Sequence, residues 1–284
     1  MASKVILSAD STCDLSAELK ERYSVNYFPL HIILDGKDYL DNVDIKPSDI
    51  FNAYYEKKIL PKTAAVNIDE YSQHFKQFVD KGYEVVHINL GSALSSSYKN
   101  ACIAAEDFKG VYAVDSCNLS TGIGHLVIQA GKMINQGLSG AEIATRLNAM
   151  TSHVHSSFVL DTLKFMAAGG RCSSVAALGA NLLNLKPCIL VSNKDGSMSS
   201  GKKYRGKLEK ILPIYVEETL GKYDNIDYET IFITHSGIDQ SYIDLVKKTI
   251  IKIHPFKEYH ETIASCTISS HCGPNTLGIL FMTK

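Results

Sequence analysis

Three short polar segments combine residue types that can hold an anion or activate a nucleophile. Ser-Ser-His-Cys-Gly-Pro-Asn occupies residues 269–275 between two apolar runs, and its Gly-Pro pair predicts a rigid turn. Paired glycines precede Arg171, and a serine-rich stretch occupies residues 91–97. A turn of this kind would hold His271 in one place, which indicates a small-molecule site.

The serine-rich stretch follows a predicted strand over residues 84–90 and opens a predicted helix over residues 96–107. Free backbone N–H groups and serine hydroxyls at such a helix start suit an anion. Ser96 and Lys99 also form a Ser-x-x-Lys pair on one helix face, an arrangement that can activate a serine nucleophile. A third interpretation is that a serine only caps the helix.

Two further segments have both a functional and a structural interpretation. Arg171 could bind a carboxylate or phosphate, or it could form an interdomain salt bridge. Asp10 and Ser11 follow the first strand, where ligands bind in open α/β sheets. Equally, Asp14 or Ser16 could cap the next helix.

The other motifs indicate neither a nucleotide loop nor a metal site. Gly-Ser-Met-Ser-Ser-Gly-Lys-Lys at residues 196–203 nearly matches a phosphate-binding loop, but it lies in a predicted hairpin and lacks the final hydroxyl. The histidines have no close Cys, Asp or Glu spacing typical of zinc ligands. We therefore expect no metal and no cofactor.

Alternating strand and helix patterns predict two α/β domains. In the first half, strands are predicted at 4–8, 28–34, 84–90 and 111–114, with helices at 16–23, 48–55, 68–81, 96–107, 119–135 and 140–152. This β-α-β order predicts a parallel sheet with helices on its faces. In the second half, strands are predicted at 157–160, 186–191, 198–204, 230–234, 258–264 and 277–282, with helices at 207–220 and 240–253.

The second half therefore predicts a mixed sheet, with a hairpin turn at Asp195-Gly196. We place the domain boundary near residue 155, giving an N-terminal α/β domain over 1–155 and a C-terminal one over 156–284. No linker-like composition marks this boundary, so we expect the domains to pack tightly.

Composition excludes several classes of protein. The 284 residues are 45% hydrophobic and 21% charged, and 29 basic against 30 acidic residues give a formal net charge of -1. This balance argues against nucleic-acid binding, which normally requires a basic excess. The sequence has no apolar run long enough to span a membrane and no signal peptide, which predicts a cytoplasmic protein. Seven cysteines without a Cys-x-x-Cys pair predict free thiols.

Seven sequence blocks, in order and spacing, resemble the DegV family of bacterial fatty-acid-binding proteins over essentially the whole chain. The blocks are Asp-Ser-Thr-Cys-Asp-Leu at 10–15, Gly-Ser-Ala-Leu-Ser-Ser-Ser-Tyr at 91–98, Val-Asp-Ser at 114–116, Ala-Gly-Gly-Arg at 168–171, Leu-Lys-Pro at 185–187, Tyr-Arg-Gly-Lys at 204–207 and His-Cys-Gly-Pro at 271–274.

The resemblance implies a long-chain fatty acid, such as palmitate, buried between or beneath two α/β domains. Its carboxylate ligands would be Thr63 and Ser95, with Ser96 next in the loop. The His-x-Gly-Pro turn would supply His271, with Cys272 and Gly273 beside it, and the Gly-Gly-Arg block would supply Arg171. The bound acid could be presented to a separate fatty acid kinase, after transient membrane contact for lipid exchange.

This chain departs from the family at the threonine loop. Ala-Ala-Val-Asn at residues 64–67 stands where the family usually shows Ser-Gln-Pro, and Ser96 stands where a glycine is usual. These departures imply that the loop closes less tightly over the head group of the ligand, or that it is shaped for another acid.

A fatty acid needs hydrogen bonds for its charged end and an apolar wall for its tail. We expect about half of the candidate wall residues to be plain core: Leu160, Leu163, Phe165, Met166, Leu182, Leu183, Ile189 and Leu280. The competing hypothesis is a serine-dependent acyl hydrolase or acyltransferase that uses Ser95 or Ser96 with His271. The sequence offers no obvious third group to orient that histidine.

Overall fold

The computed structural model of the protein describes residues 4–176 and 185–284. Its first half consists of β1 (Val5–Asp10), α1 (Ala17–Arg22), β2 (Asn26–Phe28), β3 (His31–Leu34), β4 (Lys37–Leu40), α2 (Pro47–Lys57), β5 (Lys62–Ala64), α3 (Ile68–Val79), β6 (Glu84–Asn89), α4 (Ser97–Ala105), β7 (Val111–Asp115), α5 (Thr121–Asn135) and α6 (Gly140–Met150).

Its second half consists of β8 (Val154–Val159), α7 (Lys164–Gly169), α8 (Ser173–Ala176), β9 (Leu185–Val191), β10 (Met198–Arg205), α9 (Leu208–Leu220), β11 (Ile226–His235), α10 (Gln240–Ile253), β12 (Glu258–Ile263), α11 (Cys266–Cys272) and β13 (Leu277–Thr283). Leu182 and Leu183, two of the candidate wall residues, lie outside the described residues.

The predicted parallel sheet is confirmed, with strand order β2-β1-β6-β7. Its central strand β6 is buried from Val85 onward, as expected for a strand covered by helices on both faces. Because all four strands run the same way, their carboxyl ends lie at one edge. The segment at 91–97 leaves the sheet at that edge.

The predicted mixed sheet is also confirmed, with order β10-β9-β8-β13-β11-β12. Among the described strands of this sheet, only β11 and β12 pair in parallel. The segment that resembles a phosphate-binding loop runs from the turn between β9 and β10 into β10 itself. Val154 and His155 already pair with Met282 and Phe281, so this sheet begins just before residue 156.

A third sheet, absent from the sequence prediction, has the antiparallel order β4-β3-β5. The single strand predicted at 28–34 is interrupted, because Pro29 cannot donate a ladder hydrogen bond. The chain reverses at Asp35 and Gly36, whose φ angles are 52° and 75°. Positive φ at both positions is typical of a tight hairpin turn. This small sheet carries Thr63 on β5.

Helix α5 joins the two larger sheets into one core. It is buried on almost all sides, as expected for a helix enclosed by other elements. It contacts β1 of the parallel sheet and β8 and β13 of the mixed sheet. One hydrophobic cluster consequently spans both halves, which agrees with the tight packing expected from the missing linker.

The predicted turn over residues 269–275 is partly wrong. Residues 269–272 form the last turn of α11, and only the chain from Gly273 onward makes the turn. The helix forms because the Ser265 hydroxyl caps it by accepting a hydrogen bond from Ile268 N–H. Gly273, at φ 75°, ends it.

Candidate functional site

An apolar cavity with an empty volume of about 980 Å³, its open mouth included, is lined by residues of the small antiparallel sheet, of the mixed sheet and of the loop that follows β6 of the parallel sheet. Its apolar wall is formed mainly by Leu30, Leu90, Leu94, Phe158, Met166 and Leu280. Gly278 on β13 adds no side chain to the wall.

Thr63 and His271 meet at this cavity, although 208 positions separate them. Thr63 Oγ1 and His271 Nε2 are 2.9 Å apart. Strand β5 holds the threonine and the last turn of α11 holds the histidine. If the ring proton is on Nε2, the ring donates to Thr63, whose own hydroxyl proton then remains available for a ligand.

Arg171 and Gly169 adjoin this pair. A Cβ atom placed on Gly169 would lie 2.1 Å from His271 Nδ1, so only glycine allows the ring to pack there. Arg171 donates to the Gly169 carbonyl at 2.7 Å and to the Leu94 carbonyl at 3.5 Å. Among residues 4–176 and 185–284 it forms no ion pair, so the interdomain salt bridge that was its alternative interpretation is not observed. Instead the guanidinium connects the histidine side of the cavity to the serine loop.

The serine loop follows β6 and contributes Ser95 and Ser96 to the cavity wall. Ser95 Oγ accepts from Ser97 N–H at 3.2 Å and lies 2.9 Å from Ser97 Oγ. Ser95 thus combines the capping role and the cavity position that the sequence left as alternatives. Ser96 is exposed and makes no side-chain cap bond.

Cys272 lines the cavity but Gly273 does not. The Cys272 thiol is directed to the Gly273 carbonyl. A Cβ atom on Gly273 would lie 2.8 Å from the Phe165 ring, so this glycine allows the chain to turn against α7.

Burial, and to a lesser degree the Arg171 guanidinium, lowers the pKa of His271 to about 4. The imidazole is therefore neutral at pH 7 and acts by hydrogen bonding. Its Nδ1 is buried without a hydrogen-bond partner in the part of the chain that the structure describes.

Five other hydroxyl side chains of the cavity wall are directed away from the cavity. Ser120 donates to Asp14, Thr267 donates to Asp41, and Thr276 and Ser236 donate to backbone carbonyls. Thr234 bonds the hydroxyls of Thr121 and Thr262. Because these oxygens are satisfied within the protein, the wall presents mostly carbon to a ligand.

Two buried carboxylates, which the sequence analysis did not assign to the site, hold the helix that carries His271. Asp41 accepts from Cys266 N–H, Thr267 N–H, the Thr267 hydroxyl and the Ser11 hydroxyl. Asp14 accepts from Ser265 N–H. Burial raises the pKa of Asp14 to about 7. Ser16, by contrast, simply caps α1.

A second constellation of serine, histidine and aspartate lies away from the cavity. His87 joins Ser8, 2.8 Å from its Nδ1, to Asp10, 3.0 Å from its Nε2. Ser8 Oγ also lies 2.7 Å from His74 Nε2. Ser8, Asp10 and His87 are fully buried and do not line the cavity. The arrangement resembles a catalytic triad in residue types, but a substrate has no access to it.

The candidate wall residues divide as follows. Met166 and Leu280 line the cavity. Leu160, Leu163 and Ile189 belong to the main hydrophobic cluster, and Phe165 packs against Phe51 and Tyr54. The wall residues Leu30, Leu90 and Leu94 come from the N-terminal half, whereas all of the candidate wall residues were chosen from the C-terminal half.

Residues 4–176 and 185–284 contain no cluster of three His, Cys, Asp or Glu side chains suited to a metal ion. None of the described helices is both long and apolar enough to cross a bilayer.

The fold and the site together define an α/β protein with an apolar cavity between its layers. Comparison with known proteins identifies the family. A family model described as uncharacterised DegV family proteins matches residues 4–284, and the chain belongs to this family.

One relative, a DegV domain-containing protein from Clostridium acetobutylicum, is 29% identical, and the match covers 99% of both chains. A Thermus thermophilus DegV family protein described as fatty acid binding is 26% identical, with a TM-score of 0.87 over 99% of this chain and 100% of that one. A stearic acid-binding protein from Eubacterium ventriosum is 25% identical, with a TM-score of 0.83 over 99% and 98% of the two chains.

Proposed function

We propose that this protein binds a long-chain fatty acid, with its carboxylate at Thr63, Ser95, His271 and Arg171 and its tail in the apolar cavity. One observation carries the proposal. A continuous polar cluster, from Thr63 through His271 and Gly169 to Arg171 and the serine loop, opens onto a wall that is mostly carbon. The similar Thermus and Eubacterium proteins, described as binding fatty acids, support it.

The two ends of the ligand would contribute differently. Each buried methylene contributes about 0.8 kcal/mol, so a long tail supplies most of the affinity. The carboxylate needs hydrogen-bond donors once it leaves water. The hydroxyls of Thr63 and Ser95 and the Arg171 guanidinium can donate to it, while the neutral His271 ring orients Thr63. The head group therefore determines the direction in which the acid lies.

Mass spectrometry of an organic extract of the purified protein tests this proposal. We expect about one fatty acid per chain, and delipidated protein should take up palmitate at the same ratio. An extract without fatty acid, combined with failure to bind added palmitate, would contradict the proposal.

The hydrolase hypothesis finds less support in the geometry. The Ser95 hydroxyl is bonded to Ser97, and His271 is bonded to Thr63 instead of Ser95 or Ser96. Hydrolysis of an acyl nitrophenyl ester, with trapping by a serine-directed phosphonate, tests the hypothesis directly. We expect no covalent adduct at Ser95 or Ser96, and a stoichiometric adduct would reverse this preference.

We further propose that strand β10 presents the bound acid to a fatty acid kinase in the cytoplasm. Lys202 is paired with Glu218, but Lys203 and Arg205 are exposed and, within the described ranges, form no ion pair. Met198 on the same strand lines the cavity. A partner that recognises these cations would therefore contact the same strand that borders the ligand.

Charge reversal at Lys203 and Arg205 tests the docking proposal. The double variant should lower the rate of acyl phosphate formation by a kinase about tenfold or more while retaining palmitate. The matched control reverses the exposed Lys248 and Lys252 of α10. Equal rates in the two double variants would reject β10 as the docking strand. We also propose that the protein contacts a membrane transiently during lipid exchange. The division into two domains near residue 155 likewise stays a proposal.

A further inference from the structure

Thr63 and His271 lie on two elements that a third residue, Asp41, holds together. Thr63 lies on β5, opposite Ile32 of β3 in the small antiparallel sheet, and His271 lies in the last turn of α11. The 2.9 Å distance between Thr63 Oγ1 and His271 Nε2 therefore depends on how this sheet packs against α11. Asp41 directly follows β4 of the same sheet, is fully buried and does not line the cavity.

The Asp41 carboxylate connects the small sheet to the start of α11. Its Oδ1 accepts from Cys266 N–H at 2.7 Å, and its Oδ2 accepts from Thr267 N–H at 3.3 Å and from the Thr267 hydroxyl at 2.7 Å. Oδ2 also accepts from the Ser11 hydroxyl at 2.8 Å. Ser11 Oγ in turn accepts from Leu30 N–H at 3.1 Å, just before β3. Each of these partners of the carboxylate is a donor, which only an acceptor on both oxygens can satisfy.

A neutral amide of the same size cannot replace this carboxylate. An asparagine has one acceptor oxygen and one NH2 group, which only donates. If the oxygen faces Cys266 N–H, the NH2 group faces Thr267 N–H, and the reverse orientation places it against Cys266 N–H. Two donors oppose each other in both orientations, so the start of α11 is pushed away from the sheet. His271 lies four residues after Thr267, one helical turn along, and moves with it.

We propose that Asp41 is a positioning residue for the head-group site, because it fixes α11 to the small sheet and so keeps His271 within hydrogen-bond distance of Thr63. Its effect on ligand binding rests on the proposed fatty acid function, whereas its effect on the two side chains does not. The proposal also gives Ser11 a role. Ser11 does not line the cavity, and its hydroxyl supports Asp41 instead of a ligand.

Asp41→Asn tests the proposal, with Asp14→Asn as the matched control. Asp14 is also buried at the start of α11, where it accepts from Ser265 N–H at 2.9 Å and from the Ser120 hydroxyl at 2.6 Å. Neither partner belongs to the small sheet. Asparagine keeps both bonds here, because its oxygen can face Ser265 N–H while its NH2 group donates to Ser120 Oγ. It also tolerates the φ of 50° at this position.

NMR of labelled histidine rings in the ligand-free protein measures the position of His271 directly. We expect Asp41→Asn to shift the His271 Nε2 resonance towards its value in Thr63→Ala, where the hydroxyl partner is missing. Asp14→Asn should leave this resonance close to that of the unmodified protein. An unchanged resonance in Asp41→Asn, or an equal shift in both variants, would overturn the inference.

The consequence for binding is measured as the ratio of palmitate affinity to hexadecanol affinity, since the two ligands have the same tail and differ in the head group. This ratio should fall about threefold to tenfold in Asp41→Asn, the equivalent of one net hydrogen bond, and stay constant in Asp14→Asn. A residue that only stabilises the fold would lower both affinities together and leave the ratio unchanged.

A double-mutant cycle shows whether Asp41 acts through Thr63. In the Thr63→Ala background, Asp41→Asn should lower the ratio little further, because the hydrogen bond that Asp41 maintains is already missing. An unchanged ratio in the single variant Asp41→Asn, or a full additional fall in the Thr63→Ala background, counts against the inference.

If Asp41→Asn does not fold, Ser11→Ala replaces it, because it removes one donor to Asp41 and leaves the carboxylate its bonds to α11. The resonance and the ratio should then change in the same directions by smaller amounts, and no change in either would overturn the inference. If the unmodified protein binds hexadecanol as tightly as palmitate, the proposed head-group site fails, while the His271 resonance still decides the role of Asp41.

Discussion

Two regions of this molecule use similar residue types in opposite ways. The sealed cluster of Ser8, His74, His87 and Asp10 joins serine, histidine and carboxylate through short hydrogen bonds within the core. The cavity cluster also contains serine and histidine, but it opens onto an empty apolar volume.

The difference lies in unused hydrogen-bonding capacity. In the sealed cluster both ring nitrogens of His74 and of His87 have protein partners. In the cavity cluster His271 Nδ1 has none among the described residues. Buried polar groups are normally satisfied, so the unpaired His271 nitrogen beside the cavity agrees with the proposed ligand site, whereas the paired rings of the sealed cluster support the core. Residue type alone would not have separated the two regions.

The largest expected effect is at Gly169, because the His271 ring occupies the space that a larger side chain would need at this position. Gly169→Ala places a methyl group 2.1 Å from the present position of His271 Nδ1 and forces the ring away from Thr63. We expect palmitate affinity to fall about a hundredfold, the effect of losing hydrogen bonds to a charged group. Isothermal titration measures this affinity.

Gly137→Ala is the control variant. Gly137 lies in open space at φ 83°, so the substitution should cost about 1 kcal/mol of stability and leave palmitate affinity unchanged. Equal affinity in both variants would contradict the packing argument.

Removal of one hydroxyl from the cavity cluster should have the next largest effect. Thr63→Ala and Ser95→Ala should each weaken palmitate binding about tenfold, since each removes one donor to a charged group. Their melting temperatures should stay within a few degrees of the original. Thr63→Ser keeps the hydroxyl and serves as the control. Binding losses that track losses of stability would show that these residues are structural caps.

Ser8→Ala should show the opposite behaviour in the sealed cluster. It leaves His74 Nε2 and His87 Nδ1 without their shared partner. Such unsatisfied buried groups cost about 1–3 kcal/mol, so denaturant unfolding should detect a clear loss of stability. Palmitate stoichiometry should not change. A loss of binding without a loss of stability would break the distinction between the two regions.

The smallest expected effect is a change in histidine pKa on ligand binding, which should distinguish His271 from His74. Burial lowers the pKa of His74 to about 3, and burial with Arg171 lowers that of His271 to about 4. Each folded pKa is below the ordinary histidine pKa of 6.5. The contribution of each histidine to the free energy of unfolding is therefore fully present above pH 6.5, and it is lost as the pH falls through the folded pKa.

Palmitate would place a negative charge near His271 only. We expect its pKa to rise on binding while that of His74 stays constant. NMR titration of labelled histidine rings measures both. A shift at His74 as large as that at His271 would contradict the proposed position of the carboxylate.

Regular and strongly patterned elements were predictable from the sequence. Helix α10 has the predicted bounds 240–253, because its apolar residues repeat at helical spacing between an Asp239 cap and a β-strand. The third sheet was missed because β4 and β5 have only four and three residues. The Asp35-Gly36 turn was its available signal. Helix α11 was missed because Cys, Thr, Ser and His are weak helix formers.

The site was predictable only in part for a similar reason. Arg171, His271 and the serine loop were candidates from their residue types, Thr63 came only from the family resemblance, and whether these residues bind a ligand stays a prediction. The roles of Asp41 and of Gly169 depend on contacts between residues more than 100 positions apart. No local pattern encodes such contacts.

The hydroxyls that face away from the cavity have one more consequence. If a bound ligand leaves, these five hydroxyls keep their protein partners, so this part of the lining need not collapse or rearrange. The vacant and loaded forms can then share one backbone, so turnover of cargo would be governed by the mouth and not by refolding of the interior.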